Sequence, residues 1–156
     1  MKVLIAYYSW SGTTKRLAEK LHNLISNSDL LEIKIPAGTF SSDMYQTADI
    51  YEKQKAVNAL PKVLNIPKNI NQYDQVLLGS PVWDWGVSSP VMSFMHEIQD
   101  FNGKVYPFYT SVGNSQRFMK YFDDCKGKLS IGPDFDDSHD NLNDWMKEVT
   151  EWNVRK

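Results

Sequence analysis

The chain has 156 residues, 42% apolar and 23% charged, with a formal net charge of −2. That length is expected to form one domain over residues 1–156, large enough for a sizeable core, and the composition excludes disorder, collagen and coiled coil. Near-neutral charge argues against a nucleic-acid binder, which carries a basic face. The single cysteine, Cys125, excludes a disulfide framework and a cysteine-rich metal site, and fits a reducing cytoplasm.

Lys2–Tyr8 is a near-continuous apolar run, the pattern of a strand covered on both faces. It is too short for a signal peptide, and no run approaches the ~20 residues of a membrane span. From Thr13 to Ser26, Leu17, Ala18, Leu21, Leu24 and Ile25 form one helical stripe. Leu30–Ile35 alternates like a strand nearer an edge. The stretch from Pro36 to Tyr73 is too long for a bare loop, so a helix is expected within it, best placed at Thr47–Leu60. Near its start, Phe40, Met44 and Tyr45 are expected either to lie over a ligand as a lid or to cover the sheet.

Gln75–Gly79 is the next predicted strand. Ser89 and Pro90 form an N-cap and N1 pair for a helix carrying Val91, Phe94, Met95 and Ile98. Lys104–Thr110 is a strand despite Pro107, which cannot donate to a ladder. A helix over Ser115–Asp124 and a weaker strand at Lys128–Ile131 follow. Asp134-Phe135-Asp136-Asp137 reads as a solvated acidic turn. The last helix carries Leu142, Trp145, Met146, Val149 and Trp152.

Strands alternating with helices imply βαβ units and a parallel sheet with right-handed crossovers. In such sheets ligands bind beyond the carboxyl ends of the strands. Three loops there have unusual compositions. The first, Ser9, Trp10, Ser11, Gly12, Thr13 and Thr14, brings four hydroxyls and a glycine to a helix N-terminus, where backbone N–H groups and the dipole favour an anion. It matches neither the P-loop nor the Gly-x-Gly-x-x-Gly pattern, and suits a single phosphomonoester. A capping turn is the alternative. The second, Ser80, Pro81, Val82, Trp83, Asp84, Trp85 and Gly86, places two indoles where they can sandwich a planar ring or anchor the loop. The third, Thr110, Ser111, Gly113 and Asn114, offers polar groups to the edge of a heterocycle.

These loops together resemble the flavodoxin family over essentially the whole chain. Ser9-x-Ser11-Gly12-x-Thr14 resembles the family's phosphate motif, and the loops after Gly79 and at Thr110–Ser115 resemble those flanking its isoalloxazine. The resemblance implies an α/β, flavodoxin-like three-layer sandwich. Its five-stranded parallel sheet has order 2-1-3-4-5, with helices on both faces and non-covalent FMN. It implies electron transfer with redox partner proteins, with Trp83 favoured over Trp85 as the stacking indole. Two features depart from the pattern. Thr13 replaces the usual Asn, and Asp84 stands where many electron carriers have a glycine whose peptide turns toward the half-reduced ring. Weak acidity and Asp84 keep a second reading open, an NAD(P)H:quinone oxidoreductase with a small quinone-like substrate. A non-catalytic interaction domain on the same fold is a third. His22, His96 and His139 are isolated, and Cys125 reads as a small buried hydrophobe, so neither a metal site nor a catalytic nucleophile is expected.

Overall fold

The computed structural model describes residues 1–154, with side chains for 1–149. An inner strand, β1 (Val3–Tyr7), is buried along its whole length. It runs parallel between β2 (Ser28–Glu32) and β3 (Gln75–Trp83). Beyond β3 lies β5 (Lys104–Thr110), parallel to it, and then two short pieces, β6 (Ser130–Ile131) and β7 (Phe135–Asp136), both parallel to β5. The short β4 (Gly86–Val87) folds back antiparallel on the end of β3.

The order 2-1-3-4-5 therefore holds, with β5 fourth and β6 and β7 sharing the fifth place; the sheet has seven strands, not five. The fifth strand divides at Gly132, whose Cα approaches the Tyr106 ring too closely for any Cβ. The acidic turn expected at Asp134–Asp137 is a correction: Phe135 and Asp136 are buried and paired with Phe108 and Tyr109 of β5. Four charged or polar neighbours disguised a two-residue strand that only its partner could reveal. Pro107 is accommodated within β5, opposite Leu78.

Alternation along the central strands divides the core. Val3, Ile5 and Tyr7, with Leu77, Tyr106 and Phe108, face α1 (Thr13–Leu24) and α5 (Leu142–Val154) through Leu17, Leu21, Trp145 and Val149. Leu4, Ala6, Val76, Leu78 and Val105 face α3 (Ser89–Glu97) and α4 (Phe118–Cys125) through Val91, Phe94, Phe118 and Phe122. Period-2 alternation between two covered faces is what makes these strands read as unbroken apolar runs. α2 (Met44–Ala56) begins three residues before the expected Thr47, because Asp43 caps it by accepting from Tyr45 and Gln46 N–H at 2.8 and 3.0 Å. β2 starts earlier than Leu30, and Leu24, expected on the buried stripe of α1, is exposed. Trp152, expected on the stripe of α5, lies outside the described side chains. Among the described residues no helix is long and apolar enough to cross a membrane.

Candidate functional site

The carboxyl ends of β1, β3 and β5 bring the three polar loops to one edge. After β1 the chain turns through Gly12, whose φ of 98° lies in the left-handed region. The Gly12 N–H donates to Ser9 Oγ at 3.0 Å, closing the turn. Ser11 Oγ and Thr13 Oγ1 lie 3.4 Å apart at its rim. No side chain caps α1, and its first turn holds no acidic residue, so its leading N–H groups point outward beside these hydroxyls. Arg16 turns back to place Nη2 3.4 Å from Thr13 Oγ1. A cation, three hydroxyls and an uncapped helix N-terminus thus converge on one turn, an arrangement whose partial charges favour an anion.

Thr14 differs from its neighbours. The residue is 1% exposed, and its hydroxyl meets that of Thr110, across the edge, at 2.8 Å. Both are committed to holding the first loop against the third. Trp10 tethers the first loop to the chain after β2, its Nε1 donating to the Ser41 carbonyl at 3.0 Å. Beside that tether a cavity of about 580 Å³ opens between Tyr8, Trp10, Ser11, Thr39 and Phe40. Burial pushes the Tyr8 hydroxyl up to about 12, so it stays protonated.

The second loop is shorter than its sequence suggests. β3 continues past Gly79 through Pro81 and Val82 to Trp83. Ser80 is fully buried; its hydroxyl donates to the Pro81 carbonyl at 2.8 Å and lies 3.0 Å from Ser88 Oγ, holding β3 to the start of α3. Its side chain faces the interior, away from the rim. Trp83 stands edge-on to three rings, with centroids 5.7 Å from Tyr8, 5.0 Å from Phe40 and 5.3 Å from Tyr51. Phe40 thus joins the site's wall, while Met44 and Tyr45 project from α2 into solvent, so the expected trio is split.

Only Asp84 and Trp85 form the turn into Gly86, with φ of 46° and 70°. Two left-handed residues in succession make a type I′ hairpin, a place usually given to Asn and Gly. Lys55 of α2 holds Asp84 by an ion pair at 3.3 Å. Trp85 is 40% exposed, with the Arg117 guanidinium 5.4 Å above its ring. The third loop runs from Thr110 through Ser111, Gly113 and Asn114 to Ser115. Ser111 Oγ is buried without a partner, while Val112, Gly113 and Asn114 are exposed.

Two contributors escaped the sequence reading. Arg117, just before α4, and Asp136 of β7 reach this edge, and nothing in their local sequence marks them; Ser115, already in the third loop, meets Asp136. His139, expected to be isolated, lies 3.2 Å from Asp136 Oδ2. Cys125 is half-buried against the core, and burial raises its thiol pKa.

A family model described as flavodoxin matches residues 2–149. The chain belongs to the flavodoxin family. It is 34% identical to a flavoprotein from Lactobacillus acidophilus NCFM, determined in complex with FMN, over 97% of this chain and 98% of that one, at a TM-score of 0.85. The apo form of the flavoprotein from the same organism is 38% identical over 88% of this chain and 93% of that one, at 0.72. A flavodoxin from the domain Archaea is only 15% identical over 97% of this chain and 92% of that one, at 0.55, and shares the fold. No match was found among curated proteins. The flavodoxin-like fold and family expected from the three loops are both shown.

Proposed function

We propose that this flavodoxin-family protein binds FMN non-covalently at the β1, β3 and β5 edge and acts in electron transfer. The observation that carries this reading is the uncapped N-terminus of α1, ringed by Ser9, Ser11 and Thr13 with Arg16 folded over it. It fits one phosphate and gives that phosphate hydrogen bonds with little exposed competition. Two further features support the ring's place. Ser111 Oγ is a buried polar atom still without a partner, and unpaired groups of that kind cost about 1–3 kcal/mol unless a ligand satisfies them. Trp83, Tyr8 and Phe40 offer a rigid apolar wall beside it.

Bound FMN supplies one- and two-electron redox chemistry; the chain binds, orients and shields it. In this reading Pro81, Val82 and Gly86 present backbone groups to the ring, and Gly113 and Asn114 meet its polar edge. One observation favours a second reading, an NAD(P)H:quinone oxidoreductase. The Asp84–Trp85 turn is already left-handed and pinned to Lys55, so its peptide lacks the freedom that a glycine gives carriers.

The test is direct. Purified protein should be yellow and release FMN on denaturation, and photoreduction without air should yield a long-lived half-reduced flavin with no NAD(P)H-driven quinone turnover. Fast turnover would replace the carrier with the oxidoreductase. Colourless protein that takes up no added FMN would leave an interaction domain.

A further inference from the structure

We infer that Asp136, acting through the Ser115 hydroxyl, is a positioning residue that holds the 111–114 loop ready for the edge of the flavin ring. The inference rests on the FMN reading above. A carboxylate that is 7% exposed is unusual in a soluble protein and calls for partners. Asp136 has four. Ser115 Oγ–H donates to Oδ2 at 2.5 Å, Ser138 donates to Oδ1 through N–H at 2.9 Å and Oγ–H at 2.6 Å, and His139 Nδ1 lies 3.2 Å from Oδ2.

The carboxylate itself sits on a fixed base. Its residue pairs with Tyr109 in the sheet, and its N–H donates to Asp140 Oδ2 at 2.9 Å. The Asp137 N–H donates to the Tyr109 carbonyl at 3.1 Å. Nearby, Asp134 accepts from the Tyr109 hydroxyl at 2.6 Å. Asp134, Asp136 and Asp140 therefore crowd one corner of the sheet, and each accepts at least one hydrogen bond. Asp136 spends one such bond on a residue outside its own turn.

The bond's place in the chain gives it meaning. The 111–114 loop is pinned at both ends: Thr110 by Thr14, and Ser115, 2% exposed, by Asp136. Between the pins no described hydrogen bond holds Val112, Gly113 or Asn114, and Ser111 Oγ points inward without a partner. A loop with fixed ends and free interior groups loses little entropy when a ring edge meets it. Charge-assisted bonds such as Ser115 to Asp136 are about twice as strong as neutral ones, which suits an anchor.

The experiment compares wild type with Ser115→Ala and Asp136→Asn, whose amide oxygen still accepts from Ser115. Backbone amide order parameters at 112–114 are followed in the cofactor-free protein, and affinities are measured for FMN and for riboflavin, which lacks the phosphate. Ser115→Ala should lower the amide order parameters at 112–114 toward about 0.6, with those of β5 unchanged. It should weaken FMN and riboflavin by the same factor, since both share the ring, and Asp136→Asn should do less on every measure. Ser11→Ala, in contrast, should weaken FMN alone. Unchanged order parameters in Ser115→Ala overturn the latch, as do order parameters that fall equally in β5, which mark a general loss of structure. Wild type that takes up neither flavin refutes the cofactor reading, and the ring half of the inference falls with it.

Discussion

The hydroxyls of Thr14 and Thr110, residues 96 apart in sequence, meet at 2.8 Å beneath the site. Thr14 is the second residue of α1 and Thr110 closes β5, so one buried bond joins the first loop to the third.

Removing one partner strands the other. Thr14→Val or Thr110→Val leaves a single buried hydroxyl unpaired and should destabilise the fold by about 1–3 kcal/mol. The Thr14→Val/Thr110→Val double variant removes both groups and should recover part of that loss. Urea unfolding of all four proteins checks this; additive losses would mean that the two threonines act independently.

Gly12 and Gly38 both have positive φ, 98° and 79°, and neither faces a neighbour that a methyl group would displace. Alanine at either position meets only the backbone penalty, about 1–2 kcal/mol. Thermal unfolding should show similar losses for Gly12→Ala and Gly38→Ala. Only Gly12→Ala should also weaken FMN, because only Gly12 shapes the turn at the α1 N-terminus. Equal affinities for the two variants would remove that turn from the site.

The two indoles should separate by readout. Trp83 touches three aromatic rings, and Trp83→Ala should destabilise by about 3 kcal/mol while removing a wall of the site. Trp85→Ala loses one exposed cation–π contact worth about 0.5–1 kcal/mol. If Trp83 stacks on the ring, its loss raises the fluorescence of bound flavin and shifts its potential. A fluorescence gain seen with Trp85→Ala instead would move the stacking role to the exposed indole.

Asp136 should make part of the protein's stability depend on acid. Burial alone raises its pKa, but bonds from Ser115, Ser138 and His139 outweigh it and hold the carboxyl below its ordinary value. The folded pKa is thus depressed below the unfolded one, near 3.9. Its contribution is present above that unfolded value and is lost as pH falls through the folded pKa. The stability gap between wild type and Asp136→Asn should be largest near neutral pH and narrow under strong acid, as followed by denaturant unfolding. A gap constant down to the most acidic pH would show that the carboxylate is not held charged.

The strands, their cover on two faces and the three polar loops were legible in the chain, because each rests on local patterns, whereas the sheet order came only from the resemblance to a family. Buried parallel strands need apolar side chains on both faces, amphipathic helices need a stripe, and a phosphate turn needs glycine and hydroxyls within a few residues. Phe135 and Asp136 lacked any such pattern, since two residues are too few to show a period; β7 exists because β5 offers it a partner. For the same reason the continuation of β3 through Pro81 to Trp83, the hairpin at Asp84–Trp85 and the exposure of Tyr45 at 76% followed from packing alone. Which hydroxyls face a ligand and which face each other was also decided in three dimensions. Ser11 and Thr14 are alike in sequence, yet the strand carrying Thr110 lies close enough to claim only the second.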